Sequence, residues 1–188
     1  MSSTATPTAA ATVWDIDPAH TGAHFSVKHL MVTTVRGQFE KVAGTVTLDP
    51  RDLSGSAITA TIETASISTG ESQRDAHLRS ADFFDVEKFP TIEFRSTKLA
   101  RARDGYQVSG TLTIHGVTRP VVLEVESSDA EPKDPYGNVR RGAAVTTRIN
   151  RKEFGLGWNV ALEAGGFVVS DEVKIEIDLQ LVRRPDAA

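Results

Sequence analysis

Hydrophobic and polar residues alternate with a period of two along most of the chain. Phe25 and Val27 are separated by a polar residue, and the same spacing relates Ile175 to Ile177. Because a β-strand places successive side chains on opposite faces, this alternation predicts strands with one apolar face and one polar face. The pattern recurs in about eight segments, and Asp104-Gly105 between two of them is typical of a hairpin turn. We therefore predict antiparallel neighbours.

One segment interrupts this succession of strands. Leu78, Ala81 and Phe84 recur at helical spacing, and Ser72 with Asp75 has the spacing of a capping box. A proline follows before the next alternating segment, and proline cannot continue a helix. This segment therefore predicts a short helix inserted between two strands.

The number of strands and the single helix together indicate a closed sheet. An open sheet of this size would leave two edges unpaired and one apolar face exposed, and one short helix could not cover that face. We therefore predict an all-β fold, an eight-stranded antiparallel β-barrel with a short helical insertion. The predicted barrel spans residues 13–184, between a disordered leader at residues 1–12 and a tail at residues 185–188.

Composition excludes several classes of function. The chain has no cysteine, so it offers no thiolate metal site and no cysteine nucleophile. A formal net charge of -4 supplies no basic field for nucleic acid. No apolar run approaches the ~18 residues of a spanning helix, so stable membrane insertion is not expected. Residues 1–12 lack a basic, leucine-rich signal, which predicts a cytoplasmic protein.

The chain also lacks familiar catalytic and cofactor motifs. Gly155-Leu-Gly157 begins like a dinucleotide fingerprint but has no third glycine, and no serine has the flanking glycines of a nucleophile elbow. His20 and His24 lie about 13 Å apart on an extended strand, too far to share an ion. We therefore predict neither a metal nor a cofactor.

Two short segments leave alternatives open. Arg74, Asp75 and His77 could act in acid–base catalysis, although charges that cap a helix and a histidine at a helix end are commoner. The Leu30-Met-Val32 connection is apolar where turns are usually polar. Such a connection can lie over a cavity, form an interface or simply pack against the barrel.

Many positions on the predicted inward face are small or β-branched, which leaves room for a cavity inside the barrel. The candidate lumen residues are Phe25, Val27, Phe39, Val46, Ile58, Ala60, Ile62, Phe84, Ile92, Phe94, Leu112, Ile114, Val145, Trp158, Ile175 and Ile177.

Several sequence blocks in the same order resemble one known family. They are Asp17-Pro-Ala-His20, Phe25-Ser-Val-Lys-His29, Gly37-Gln-Phe39, Arg74-Asp-Ala-His-Leu78, Asp82-Phe-Phe-Asp85, Phe89-Pro90, Gly110-Thr-Leu-Thr-Ile-His-Gly-Val-Thr118 and Asn150-Arg-Lys-Glu-Phe-Gly155. The chain resembles the YceI family of lipocalin-like, polyisoprenoid-binding proteins over about residues 13–183.

The resemblance implies a lipocalin-like barrel whose lumen holds a long isoprenoid chain, with no established catalysis for the family. Arg74, His77 and Arg151 are candidates for contacts with a ligand head group at the mouth. We accordingly expect a non-enzymatic protein that binds, carries or sequesters an isoprenoid lipid, either a polyprenyl phosphate or a quinone.

Two other functions remain open at the level of sequence. One is an enzyme that acts on an isoprenoid lipid, with Asp75 and His77 as acid and base. The other is a filled barrel that serves as an interaction module, with Leu30-Met-Val32 in contact with a partner. The sequence leaves a homodimer open as well, and nucleic acid is not an expected partner.

Overall fold

The computed structural model describes residues 11–49, 51–127, 130–161 and 166–185. The predicted leader and tail therefore fall almost wholly outside the described residues. The first strand begins at Thr12, one residue before the predicted barrel boundary.

The described chain contains eleven strands and one α-helix. The strands are β1 Thr12–Ile16, β2 Gly22–His29, β3 Thr33–Phe39, β4 Val42–Leu48, β5 Ala57–Glu63, β6 Ile67–Ser68, β7 Thr91–Ala102, β8 Gly105–Ile114, β9 Val117–Ser127, β10 Arg140–Asn150 and β11 Glu172–Arg183. The helix α1 is Ser72–Arg79, and short 3₁₀ helices lie at Leu53–Gly55, Thr64–Ser66 and Arg151–Phe154.

Eight of these strands form a closed antiparallel barrel, as predicted. The ring runs β1, β4, β5, β7, β8, β9, β10 and β11, and it closes because β11 pairs with β1. The N-terminal half of β11 pairs instead with β2, which carries β3 and β6 beyond the ring. The sheet therefore extends further at the end where β11 begins.

Two residues separate β3, which ends at Phe39, from β4, which begins at Val42. At Gly44 an added Cβ would lie 2.2 Å from the backbone oxygen of Thr59, so only glycine allows this close approach of two strands. The turn between β8 and β9 uses His115 and Gly116 in the left-handed region, with φ of 51° and 72°. Such a turn matches the twist of a hairpin.

The helix differs from its prediction in two respects. Glu71, rather than Ser72, is the N-cap, and its carboxylate accepts hydrogen bonds from the backbone N–H groups of Gln73 and Arg74. The helix also ends at Arg79, before Ala81, because Ser80 adopts an extended backbone and donates its hydroxyl to the carbonyl of His77. The predicted capping box is therefore wrong, although a helix is present where one was predicted.

The two ends of the barrel differ in packing. The end at which β1 begins and β11 finishes, called the closed end here, is filled by Trp14, Leu99, Val108 and Leu181. Trp14 is fully buried and Val108 is 1% exposed. The opposite end, called the open end, carries α1, the turn between β2 and β3, and the long connection between β10 and β11.

Candidate ligand-binding cavity

A cavity of about 670 Å³ occupies the barrel from its middle to the open end. This volume lies within the range of about 300–1,000 Å³ that is usual for small-molecule sites. The structure places all sixteen predicted lumen residues on its wall. Their contact with a ligand stays a prediction.

Inward-facing side chains in this half of the barrel are incompletely buried. Ile58, Ala60 and Ile62 of β5 alternate with exposed neighbours, yet each is only half-buried. Ile175 and Ile177 of β11 behave in the same way. These side chains face the cavity rather than packed neighbours. The alternating apolar residues therefore form the wall of a hollow space.

Two glycines allow phenylalanine rings to lie against the cavity wall. An added Cβ at Gly37 would lie 2.4 Å from the ring of Phe25, and one at Gly110 would lie 2.6 Å from the ring of Phe94. The ring of Phe39 lies between Phe25 and Phe84, with centroids 5.7 Å from each. The rings therefore line the space instead of crossing it.

Polar side chains on the wall are few. They are His24, His29, Thr69, Glu71, Gln73, Arg74, His77, Thr147 and Arg151. Glu71, Gln73 and Arg74 are exposed and also line the cavity, so the cavity reaches the surface beside the first turn of α1. This opening is called the mouth below.

Arg74 lies at the mouth, and two of its hydrogen-bond donors are used within the protein. Its Nε donates to Thr69 Oγ1 at 2.7 Å, and its Nη2 donates to the Thr69 carbonyl at 3.1 Å. The neighbouring Glu71 accepts backbone hydrogen bonds from Arg74 and Gln73, which lower the pKa of its carboxyl group. The mouth therefore presents a cation and an anion side by side.

Arg151 is buried, and its donors are directed at the backbone of the β10–β11 connection. Its guanidinium donates to the carbonyls of Leu156, Trp158, Val169 and Ser170. Burial lowers the pKa of Arg151, and the nearby Asp171 opposes this effect. These contacts assign Arg151 the role of holding this connection across the open end, and they leave few donors for a head group.

His77 joins the helical insertion to the β10–β11 connection. Its Nε2 lies 2.9 Å from Asp82 Oδ2, and its ring contacts Phe83 and Trp158 edge to face, with centroids 5.1 and 4.9 Å away. The His77 ring therefore packs with Phe83 and Trp158 in an aromatic cluster on the cavity wall.

Asp75 is not on the cavity wall. Its buried carboxylate accepts hydrogen bonds from the backbone N–H and hydroxyl of Thr69. The acid–base pair suggested by the sequence therefore has different partners in the structure, since the carboxylate hydrogen-bonded to His77 belongs to Asp82.

Sequence reasoning missed part of the wall. The residues absent from the predicted set include Val35, Leu78, Val108, Leu123, Val125 and Leu179. Leu123, Val125 and Leu179 follow the same alternation as the predicted residues, so this signal could have found them. Thr69 and Gln73 face the mouth because of the path of the insertion, and the alternation of strands carries no signal for them.

Within the described residues, no group of three or more His, Cys, Asp or Glu side chains could hold a metal ion. A search of that same part of the chain finds no helix with the length and apolar character needed to cross a membrane.

The closed barrel and its apolar cavity define a lipocalin-like architecture. A family model described as the YceI-like domain matches residues 14–181, and the chain belongs to this family. The resemblance found in the sequence is therefore confirmed.

Relatives support the same assignment. A UPF0312 protein of Vibrio cholerae is 38% identical over 145 residues, which cover 77% of this chain and 76% of the relative. A UPF0312 protein of Staphylococcus aureus is 37% identical over 165 residues, covering 88% of this chain and 94% of that protein.

Solved structures show the same fold. Burkholderia cenocepacia BcnA matches with a TM-score of 0.76 at 25% identity, over 88% of this chain and 98% of that chain. A Campylobacter jejuni YceI protein matches with a TM-score of 0.70 at 27% identity, over 84% of this chain and 90% of that chain. A polyisoprenoid-binding domain from Saccharophagus degradans matches with a TM-score of 0.63 at 17% identity, over 91% and 98%, a likeness of fold alone.

Proposed function

We propose that this protein binds a long-chain isoprenoid lipid in the lumen of its barrel, and so carries or sequesters it. The observation that carries the proposal is the apolar cavity of about 670 Å³ that reaches the surface at the mouth. An elongated apolar chain fits such a space, because its burial removes both the chain and the wall from water. The Saccharophagus protein that shares this fold is a polyisoprenoid-binding domain, and at 17% identity the likeness is one of fold alone.

The charges near the mouth favour a neutral head group, such as a quinone, over a polyprenyl phosphate. Four carbonyls occupy donors of Arg151, and Thr69 occupies two donors of Arg74. A phosphate would also face the Glu71 carboxylate. Burying a charge is costly unless it is fully paired, so a neutral polar group suits this mouth better.

The proposed role is non-enzymatic. Asp75 is held by Thr69 away from the cavity wall, and His77 is hydrogen-bonded to Asp82. An acid–base mechanism needs both groups within reach of the reacting atoms. The alternative of a filled interaction module conflicts with a cavity of this size. A cytoplasmic location, a transport role and a homodimer stay predictions.

Native mass spectrometry of protein purified from bacteria tests the proposal. We expect a co-purified species whose extracted mass corresponds to a neutral prenyl lipid. Because the head group is neutral, Arg74→Gln should retain that species. Extracts that match those of an unrelated barrel would refute lipid binding, and loss of a prenyl phosphate in Arg74→Gln would refute the neutral head group.

A further inference from the structure

The turn between β2 and β3 combines an unfavourable backbone with exposed apolar side chains. Val32 N–H donates to the carbonyl of His29, and the two residues between them, Leu30 and Met31, lie in the left-handed region with φ of 53° and 61°. Asparagine and glycine usually occupy such positions, because larger side chains are strained there. The turn between β8 and β9 also places two successive residues in the left-handed region, and it uses Gly116 at the second of them.

Packing does not offset this strain. Leu30 is 42% exposed, Met31 69% and Val32 78%. Non-glycine residues held in a sparsely populated region of backbone conformation cluster at functional sites. The strained backbone and the exposed apolar side chains make this turn a candidate contact surface.

Two further apolar side chains continue the same surface. Val160 and Phe167 are each 49% exposed, and they belong to a short paired segment in which Val168 N–H donates to the Val160 carbonyl. Leu30 N–H donates to the carbonyl of Val168, which links this segment to the turn. Leu30, Met31, Val32, Val160 and Phe167 together are called the apolar rim.

The apolar rim adjoins the cavity. His29, Trp158, Val168 and Val169 lie on the cavity wall, while residues beside them in the chain belong to the rim. The rim therefore lies at the same end of the barrel as the mouth.

Basic side chains flank the rim. Lys28 and Arg36 are exposed on β2 and β3, and among the described residues neither forms an ion pair. The Lys152 ammonium lies 5.3 Å from the centre of the Phe167 ring and pairs with Asp171. Nearby Glu176 is paired with Lys174 and is also attracted by Arg36. Lys28, Arg36 and Lys152 therefore place positive charge beside the rim of a chain whose net charge is -4.

We propose that the apolar rim docks the open end of the barrel on the surface of an anionic lipid bilayer. Exposed apolar side chains flanked by Lys and Arg are the chemistry of proteins that lie in the membrane interface. Because the rest of the chain is acidic, the same charges orient the molecule with its cavity toward the membrane. The inference rests on the proposed function, since a lumen that holds a lipid must exchange it with a membrane.

Flotation with vesicles of equal parts phosphatidylglycerol and phosphatidylcholine tests this docking. The variant Leu30→Asn/Met31→Gly installs residues that favour the turn, so its melting temperature should equal or exceed that of the wild type. Its vesicle affinity should fall by about tenfold or more, because two apolar side chains no longer enter the interface. Val122→Ser removes an apolar side chain that is 46% exposed on β9, outside the rim, and should leave vesicle binding unchanged.

A second variant tests the contribution of the basic side chains to vesicle binding. Lys28→Gln/Arg36→Gln should weaken binding to the anionic vesicles and reduce its salt dependence. Vesicle binding by Leu30→Asn/Met31→Gly that equals wild-type binding would overturn the docking proposal. A wild-type dimer that this variant dissociates, without vesicle binding by either protein, would overturn it in favour of contact between two copies.

Uptake of a prenyl quinone from detergent micelles separates this proposal from the proposed function. The rim variant should take up the quinone from micelles as the wild type does, because its lumen is unchanged. A wild type that binds vesicles but takes up no quinone from micelles would overturn the lumen proposal and support the docking surface alone. Equal vesicle binding by both proteins with normal quinone uptake would overturn only the docking surface.

Discussion

The closed and open ends of this barrel are built from the same strands and serve different purposes. At the closed end Trp14, Val108 and Leu181 fill the interior, and a void of only about 60 Å³ remains beside them. At the open end the same strands enclose about 670 Å³. An eight-stranded barrel can be filled by its own side chains or can hold a ligand. This one is filled at one end and hollow at the other.

Charged side chains follow the same division. At the closed end Arg140 donates to both Asp17 and Asp134, which ties the start of the chain to the turn before β10. At the open end Arg151 donates to backbone carbonyls and holds a connection in place. Ion pairs therefore join two segments at the closed end, whereas a buried arginine holds a backbone connection at the open end.

The largest expected effect comes from a matched pair of truncations on β11. Leu181→Ala removes a packed side chain and should cost about 3 kcal/mol, because it leaves a cavity in a dense core. Ile177→Ala removes a side chain that faces the existing cavity and should cost about 1 kcal/mol. Urea unfolding of the lipid-free proteins measures both. Equal costs would show that the two ends are packed alike.

A smaller effect concerns acid stability at the closed end. Hydrogen bonds from Asn138 and Arg140 hold the pKa of Asp134 well below its ordinary 3.8. Burial tends to raise the pKa of Asp17, but hydrogen bonds from His20 and Arg140 outweigh it and lower that pKa as well. Because both folded-state pKa values lie below the unfolded ones, the stabilisation is complete above about pH 5 and is lost progressively as the pH falls.

Arg140→Gln should therefore lower the melting temperature at neutral pH and flatten its decline below about pH 5. Arg148→Gln is the control on the same strand, since its ion pair with Glu172 is exposed and should contribute little. Melting temperatures between about pH 7 and pH 2.5, a range that spans the ordinary carboxyl values, check this. A decline in Arg140→Gln as steep as that of the wild type would contradict it.

Strand alternation made the barrel and its wall predictable. Ile58, Ala60 and Ile62 could be assigned to the lumen because a strand's two faces are decided locally. The same reasoning could not show how full the lumen is, since that depends on which side chains meet across the barrel.

The N-cap of the helical insertion and the partners of Arg151 could not be predicted from sequence patterns. Ser72 and Asp75 have capping spacing, yet the chain enters the helix so that Glu71 caps it and Asp75 turns to Thr69. Arg151 was predicted at the mouth from its charge and its place in a sequence block that resembles the family, but its carbonyl partners lie up to 19 residues away in the chain. Contacts set by tertiary structure leave no periodic signal in the sequence.

The most direct test of a hollow lumen is Ala60→Phe, since Ala60 lies on the cavity wall beside Phe94, its partner on the neighbouring strand β7. The added ring should occupy space otherwise held by ligand, so the lipid-free variant should melt close to the wild type. Added prenyl quinone should raise the melting temperature of the wild type and of Thr61→Phe, an outward-facing control on the same strand, but not that of Ala60→Phe.

Thermal melts of the three delipidated proteins, with and without the quinone, provide the measurement. The account predicts nearly equal melting temperatures without lipid and a ligand-induced shift that only Ala60→Phe lacks. A packed interior would instead be overfilled by the ring, at a cost of about 1–3 kcal/mol or several degrees. Such a loss in lipid-free Ala60→Phe, absent from Thr61→Phe, would contradict the hollow barrel.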